Sequence, residues 1–324
     1  MSTLLRVDDL TVSFATEDGV VQAVGGVSFE LHAGEVLAIV GESGSGKSVT
    51  AQTITGLTRA PNARITGAVT YRGRELNELD GDQLRDVRGE QIAMVFQDPM
   101  SSLNPVYRVG DQIAEMIRAH RDVSKREAQD RAVELLRSVG IPNPERRVRH
   151  YPHEFSGGMR QRVMIAMALA LEPDVLIADE PTTALDVTVQ AEIIELMRNL
   201  CAERGTAILM ISHDLGLVAN VCRRVAVMYA GRIVEERGSD DIFRASAHPY
   251  TQGLVDSLPR LGTRAALGRT RLTEIAGVVP AISNFPEGCR FNPRCAKATA
   301  ICRTTAPELT SLGAGGLVRC HHHA

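Results

Sequence analysis

Apolar and polar positions alternate from Leu4 to Phe14 and again from Val20 to Leu31, the period-two pattern of strands that bury one face. Between them Thr16-Glu17-Asp18-Gly19 gathers turn-forming residues, so the two runs predict a hairpin. Val36-Leu37-Ala38-Ile39-Val40 is apolar throughout, as expected of a strand covered on both faces in a parallel sheet. It runs into a glycine-rich stretch, Gly41 to Gly46, and a helix is expected from Lys47 to about Leu57. Gly67 to Tyr71 and Ile92 to Phe96 are further strand candidates.

From Asp98 to about Ser156 the spacing turns helical, and Val109 to His120 and Ser124 to Val139 each place apolar residues on one face and charges on the other. Beyond Asp174 the pattern reads as strand Val175 to Ala178, helix Val187 to Arg204, strand Thr206 to Ile211 and strand Val225 to Met228. This rhythm predicts an α/β fold whose core sheet is interrupted by a helical insertion at about 98–172. Periodicity fades after Gly238, so a main domain over 1–257 and a small irregular C-terminal region over 258–324 are expected, with a flexible patch at Gly313 to Gly316.

With 44% apolar and 23% charged residues in 324, the composition is that of a globular protein with ample core. The 36 Lys+Arg against 39 Asp+Glu leave a net charge of −3, which argues against holding nucleic-acid phosphates by bulk charge. The longest apolar run, Val163 to Leu171, is nine residues, short of the roughly 20 that a membrane-spanning helix needs. The first residues meet Asp8 and Asp9 before any hydrophobic stretch, unlike a secretory signal, so a cytoplasmic location is expected. Cys201 and Cys222 stand in apolar or helical surroundings and read as small buried hydrophobes, whereas Cys289, Cys295, Cys302 and Cys320 cluster near the end of the chain. In a reducing compartment that clustering favours a metal or cluster site over disulfides.

Gly41-Glu42-Ser43-Gly44-Ser45-Gly46-Lys47-Ser48 fits Gly-x4-Gly-Lys-Ser/Thr and lies between a buried strand and a helix start. There the backbone can wrap a phosphate with inward-facing N–H groups, Lys47 can bridge β- and γ-phosphate oxygens and Ser48 can ligate Mg²⁺. The strand ending at Asp179-Glu180 places one carboxylate to hold the Mg²⁺ shell, Asp179, beside one that can polarise an attacking water, Glu180. Ser156-Gly157-Gly158 precedes an apolar helical run, where Ser156 is a good N-cap and the glycines leave the helix end open to an anion.

Together these motifs resemble the ATP-binding subunits of ABC transporters. Phe155-Ser156-Gly157-Gly158-Met159-Arg160-Gln161-Arg162 is similar to the family signature, and Asp179-Glu180-Pro181-Thr182-Thr183-Ala184-Leu185-Asp186 to its second acidic motif running into the D-loop. Gln97 matches the Q-loop, His213 the switch histidine and Phe14, 33 residues before Lys47, the aromatic that stacks on adenine. Asp186 also stands where it can cap the helix beginning at Val187. The resemblance implies a P-loop core sheet with an antiparallel β subdomain and a helical insertion. It further implies a head-to-tail pair of ATPase subunits in which Ser156 and Gly158 of one face the γ-phosphate held by the other.

Gln97-Asp98-Pro99-Met100-Ser101-Ser102-Leu103-Asn104-Pro105, Tyr151-Pro152-His153-Glu154 and His248-Pro249-Tyr250-Thr251 followed by Leu258-Pro259 resemble the dipeptide/oligopeptide and nickel importer ATPases in particular. Cys289-x5-Cys295-x6-Cys302-x17-Cys320 looks like the segment that carries a [4Fe–4S] cluster in that subfamily. Four thiolates can equally hold Zn²⁺, and His321, His322 and His323 offer imidazoles beside Cys320. The expected partners are a second ABC ATPase subunit, identical or homologous, two transmembrane permease subunits and an extracytoplasmic substrate-binding protein, with the chain peripheral on the cytoplasmic face of the membrane. Nickel or another small solute is the alternative cargo. A non-transport ABC ATPase acting on nucleic acid fits less well, since Lys47 and Ser156 are only 109 residues apart, with no room for long coiled coils between them.

Overall fold

The computed structural model of the chain describes residues 2–183, 185–219, 221–258, 275–313 and 315–323. In chain order it begins with β1 (Thr3–Thr16), β2 (Gly19–His32), β3 (Val36–Val40), α1 (Lys47–Ile54), β4 (Ala63–Tyr71), β5 (Arg74–Glu75), α2 (Gly81–Val87) and β6 (Ile92–Val95). There follow α3 (Pro99–Ser102), α4 (Val109–His120), α5 (Lys125–Ser138), α6 (Pro144–Arg147), α7 (Gly157–Ala168), β7 (Val175–Asp179) and α8 (Val187–Arg204). The remainder is β8 (Ala207–Ser212), α9 (Leu215–Val218), β9 (Arg224–Tyr229), β10 (Arg232–Gly238), α10 (Ser239–Ala245), α11 (Pro249–Asp256), α12 (Ala300–Thr304), β11 (Thr310–Gly313) and β12 (Gly316–Val318).

Contacts divide the chain into two compact units. One comprises Leu31–Val36, Glu78–Ile211 and the first residues of the chain. Its strands β6, β7 and β8 are parallel and in register through Ile92↔Val175 and Val175↔Ala207. Every residue of β7 and β8 is buried, which is why their sequences are apolar runs without alternation. Between β6 and β7 the chain is helical, from α3 to α7. Helix α4 buries Val109, Ile113, Ala114 and Ile117 and packs on α5, which buries Ala128, Ala132, Leu135 and Leu136. Ser124 and Glu127 start α5 with a reciprocal capping box of 3.2 and 2.8 Å.

The other unit comprises Leu5–Glu30, Leu37–Asn77 and the described residues from Ser212 onward. Its four-stranded sheet has the order β2-β1-β4-β5, with β1 antiparallel to β4 from Leu5↔Tyr71 to Phe14↔Ala63. This is the predicted antiparallel β subdomain, and the hairpin falls at the turn read from Thr16 to Gly19. In the same unit β3 runs parallel to β9 (Val40↔Val227), and β10 lies antiparallel to β9 and to β12.

The region expected to be irregular is partly regular. Beyond Gly238 the described residues form α10, α11 and α12, and β11 and β12 extend the sheet from β10 through Glu235↔Val318 and Thr310↔Val318. With four and three residues, β11 and β12 are too short to show a period, and they exist because β10 offers an edge to pair with. Pro259 and Ala314, both inside expected features, lie outside the described residues.

Candidate nucleotide site and cysteine pocket

In the second unit, the chain leaves β3 at Val40, turns through Gly41 to Gly46 and enters α1 at Lys47. Two glycines are obligatory there. A Cβ on Gly41 would meet the Met228 carbonyl oxygen at 2.1 Å, and one on Gly46, whose φ is +99°, would meet that of Ala23 at 2.5 Å. Ser43 and Gly44 form the exposed crest of the loop, Ser45 is buried beneath it, and Ser48 sits half-buried in the first turn of α1. Lys47 is only 4% exposed, and its Nζ donates to the carbonyls of Gly41 (2.8 Å) and Glu42 (3.0 Å). A buried ammonium must be paired in this way, and here the loop itself supplies the acceptors. Phe14 is half-buried at the end of β1, and His213 lies exposed between β8 and α9.

In the first unit, β7 delivers Asp179, 3% exposed, and then Glu180. Glu180 has φ +45°, a left-handed conformation that costs a non-glycine residue about 1–3 kcal/mol and that clusters at functional sites. It is held there by its N–H, which donates to the Ile211 carbonyl at 3.0 Å, and by two donors to its carboxylate: Gln97 Nε2 at 3.2 Å and Thr183 Oγ1 at 3.1 Å. Parallel pairing of β6 with β7 brings Gln97, two residues past β6, alongside Glu180, two positions that the sequence separates by 83.

Ser156 caps α7, its Oγ accepting from the Met159 N–H at 3.3 Å, and both Ser156 and Gly157 are exposed. A Cβ on Gly158 would meet Val189 Cγ1 at 3.0 Å, so that position is tight. Asp186 occupies the N-cap position of α8, but its side chain makes no capping bond; it is exposed, beside Val187, which is 81% exposed. The sequence suggestion that Asp186 caps this helix therefore does not hold. In the insertion, an open groove of about 600 Å³ runs along α4 and the start of α5, lined by Tyr107, Ala114, Arg118 and Lys125 among others.

Back in the second unit, Cys289, Cys295, Cys302 and Cys320 line one cavity together with His248 and Phe291. Its interior is about 10 Å³, the space of a single water. Burial pushes the thiols of Cys289, Cys295 and Cys320 up, and the neighbouring cysteines add to the rise for each. Without a bound cation that rise favours neutral thiols, although four cysteine sulfurs are the donor type of a metal or cluster site; among the described residues no group of three or more His, Cys, Asp or Glu is arranged to hold a metal ion. The three terminal histidines make hydrogen bonds with Thr305, Thr299 and Cys320. Cys201 and Cys222 are buried and free, with thiols pushed up to about 12 by desolvation, which is the behaviour of small core hydrophobes.

A family model described as ABC transporter matches residues 24–183, and one described as Oligopeptide/dipeptide transporter, C-terminal region matches residues 234–302. The oligopeptide transport ATP-binding protein of Salmonella typhimurium is 51% identical over 319 residues, covering 98% of this chain and 93% of the relative. The chain belongs to the ABC transporter family. A dipeptide transport ATP-binding protein of Bacillus subtilis is 48% identical over 321 residues, 99% of this chain and 95% of that one. Among solved structures, a dimeric post-hydrolysis ATP-binding cassette bound to ADP and Pi superposes with a TM-score of 0.66 at 28% identity, covering 73% of this chain and 99% of the other. Among the described residues of this ABC protein no helix is long and apolar enough to cross a membrane.

Sequence reasoning missed Thr183 as a holder of Glu180 and missed the residues that fasten the phosphate loop from the C-terminal side. Thr183 lies inside the acidic motif, so its position was visible but its bond was not. Arg294 grips Glu42 across 252 residues, and no local pattern announces that pair.

Proposed function

We propose that this chain is the ATP-hydrolysing subunit of an ABC importer that takes dipeptides or oligopeptides across the cytoplasmic membrane. The observation that carries the reading is the match of residues 234–302 to the oligopeptide/dipeptide transporter C-terminal region, on a chain that keeps the whole ordered set of nucleotide motifs. Likeness over nearly the full length to proteins named for oligopeptide and dipeptide transport supports the cargo. On this reading residues 1–257 are the motor and 258–324 an appendage that carries the late cysteines.

The loop from Gly41 to Gly46 and Lys47 hold the ATP phosphates, and Phe14 stacks on the adenine. Ser48, Gln97 and Asp179 would be the Mg²⁺ ligands, and the ion would neutralise charge on the phosphate oxygens. Glu180 accepts a proton from the attacking water, and His213 contacts the γ-phosphate. Ser156, Gly158 and Asp186 serve the site of a second ATPase subunit. The open groove along α4, lined by Asp111 and Glu115 as well as Arg118 and Lys125, with Val106 exposed at 72% and Tyr107 at 56%, suits docking of a permease loop at the cytoplasmic face. A pair of permeases and an extracytoplasmic binding protein complete the assembly. Co-purification from membranes tests this: two permeases and a peptide-binding protein are expected with the chain, and their replacement by nucleic-acid-processing partners would contradict the reading.

Gln97 sits where the core enters the helical insertion and bonds directly to Glu180, so it is placed to link chemistry to the permease. Gln97→Ala is expected to abolish most of the stimulation of ATP turnover by loaded binding protein while changing nucleotide affinity less than about threefold. A variant that loses only affinity, with stimulation intact, would remove Gln97 from coupling.

The four late cysteines are assigned to a [4Fe–4S] cluster. The support is that all four line one cavity, and that their spacing is wider than the close Cys-x2-4-Cys pairs of structural zinc sites. Iron and acid-labile sulfide near four per chain are expected after anaerobic purification, falling on Cys295→Ser. Stoichiometric zinc without iron would contradict the cluster.

A further inference from the structure

Glu42, the second residue of the phosphate loop, is held by each of its polar groups. Its N–H donates to Tyr250 Oη at 2.9 Å, and its carbonyl accepts from Lys47 Nζ at 3.0 Å. Its carboxylate receives a two-point bridge from Arg294, Nη1 to Oε2 at 2.6 Å and Nη2 to Oε1 at 3.0 Å. The Arg294 side chain is 4% exposed and that of Glu42 31%. The remaining Arg294 donors reach the carbonyls of Ala276 (2.9 Å) and Ile275 (3.2 Å), and its guanidinium lies 5.7 Å from the Tyr229 ring centre. An arginine guanidinium is always charged, and here both of its terminal nitrogens meet the Glu42 carboxylate. Arg294 directly precedes Cys295.

A second grip comes from Arg290, directly after Cys289. Its Nη1 donates to the Ala230 carbonyl at 2.5 Å and its Nη2 to Gln22 Oε1 at 2.6 Å, while its guanidinium stacks 4.1 Å from the Phe285 ring centre. Ala230 has φ +47°, and the N–H of the next residue, Gly231, donates to the Ser45 carbonyl at 2.8 Å. The two arginines of the Cys289–Cys295 segment therefore reach both ends of the phosphate loop, Glu42 directly and Ser45 through the turn between β9 and β10.

We propose that the Cys289–Cys295 segment is a positioning device for the phosphate loop, with Arg294 and Arg290 its positioning residues, so that nucleotide affinity and the order of the cysteine pocket are coupled. The proposal rests on the reading of residues 41–48 as the ATP site. A loop rich in glycine loses much conformational freedom when it closes on phosphate, and bonds that fix it beforehand lower that cost. Arg294 is suited to this because its planar fork meets a carboxylate at two points and is itself locked by packing. Coupling of this kind is reciprocal, so nucleotide must in turn order the segment between the two cysteines.

The test uses the full-length chain, purified anaerobically, titrated with Mg²⁺ and the non-hydrolysable analogue AMP-PNP. Arg294→Gln and Glu42→Gln are each expected to weaken binding about tenfold, and the double variant to be no worse than the weaker single, since both remove the same pair. Arg294→Lys recovers the loss only in part. In the assembled transporter KM for ATP rises in Arg294→Gln while kcat changes less. Hydrogen exchange over residues 289–295 slows on AMP-PNP binding in the wild type and does not in Arg294→Gln. Wild-type affinity in both single variants, additive losses in the double, or equal exchange protection in Arg294→Gln would each overturn the proposal. If Arg294→Gln does not fold, Glu42→Gln, which leaves the cysteine segment intact, decides by the same affinity and exchange readings. A wild-type chain that does not bind AMP-PNP at all would instead overturn the reading of the loop as an ATP site.

Discussion

Replacing Glu180 by Gln is expected to cut ATP turnover by about 10²–10⁴-fold in the assembled transporter while leaving ATP bound. The substitution keeps shape and removes the proposed base. The amide can still meet Thr183, whose Oγ1 lies 3.1 Å from the wild-type carboxylate, so the left-handed backbone at this residue is retained. What is lost is the only feature of the side chain that can take a proton from water. The phosphate loop and Lys47 stand on other elements and are untouched, so Glu180→Gln accumulates ATP-loaded, paired subunits. Single-turnover hydrolysis and size-exclusion in ATP and Mg²⁺ check both halves. Turnover within about threefold of wild type would remove Glu180 from its assigned role.

A comparable loss is expected from Ser156→Arg, which places a long cation at the start of α7. Ser156 and Gly157 are exposed at that helix end, where N–H groups and the positive end of the dipole favour an anion. If that end serves the γ-phosphate of a second subunit, the variant lowers turnover by about 10²-fold or more and blocks pairing in ATP, yet binds nucleotide on its own loop with near wild-type affinity. Mixing Ser156→Arg with Lys47→Ala subunits sharpens the test in a pair of identical chains: half of the mixed pairs' two sites combine both lesions and the other half none, so activity reappears on mixing. No recovery on mixing, together with turnover independent of protein concentration, would argue that each chain hydrolyses ATP alone.

The legibility of this chain in its sequence follows from which interactions are local. The apolar runs of β3, β7 and β8 and the amphipathic spacing of α4 and α5 were readable because burial on both faces or on one stripe imposes composition and period directly. The phosphate loop was readable for a related reason: Gly41 and Gly46 are demanded by backbone oxygens 2.1 and 2.5 Å from where a Cβ would sit. Short elements escaped. The pairing of β12 with β10 depends on an edge offered by residues over 80 positions earlier, and three residues carry no period of their own. The long-range bonds escaped as well, since Gln97 with Glu180 and Arg294 with Glu42 are brought together by strand order and by the fold of the C-terminal segment. Asp186 shows the reverse case: the sequence permits a cap at the start of α8, but the side chain does not make it.

The central claim, an ATP-driven peptide importer motor, is tested most directly by transport in sealed vesicles. The two permeases and the ATPase pair are reconstituted with ATP and Mg²⁺ on the side of the ATPase and peptide-loaded binding protein on the other. The account predicts that labelled peptide accumulates on the ATPase side only when ATP is present, that loaded binding protein stimulates ATP turnover, and that Glu180→Gln abolishes accumulation. Vigorous ATP turnover that ignores peptide-loaded binding protein and moves no peptide would contradict it.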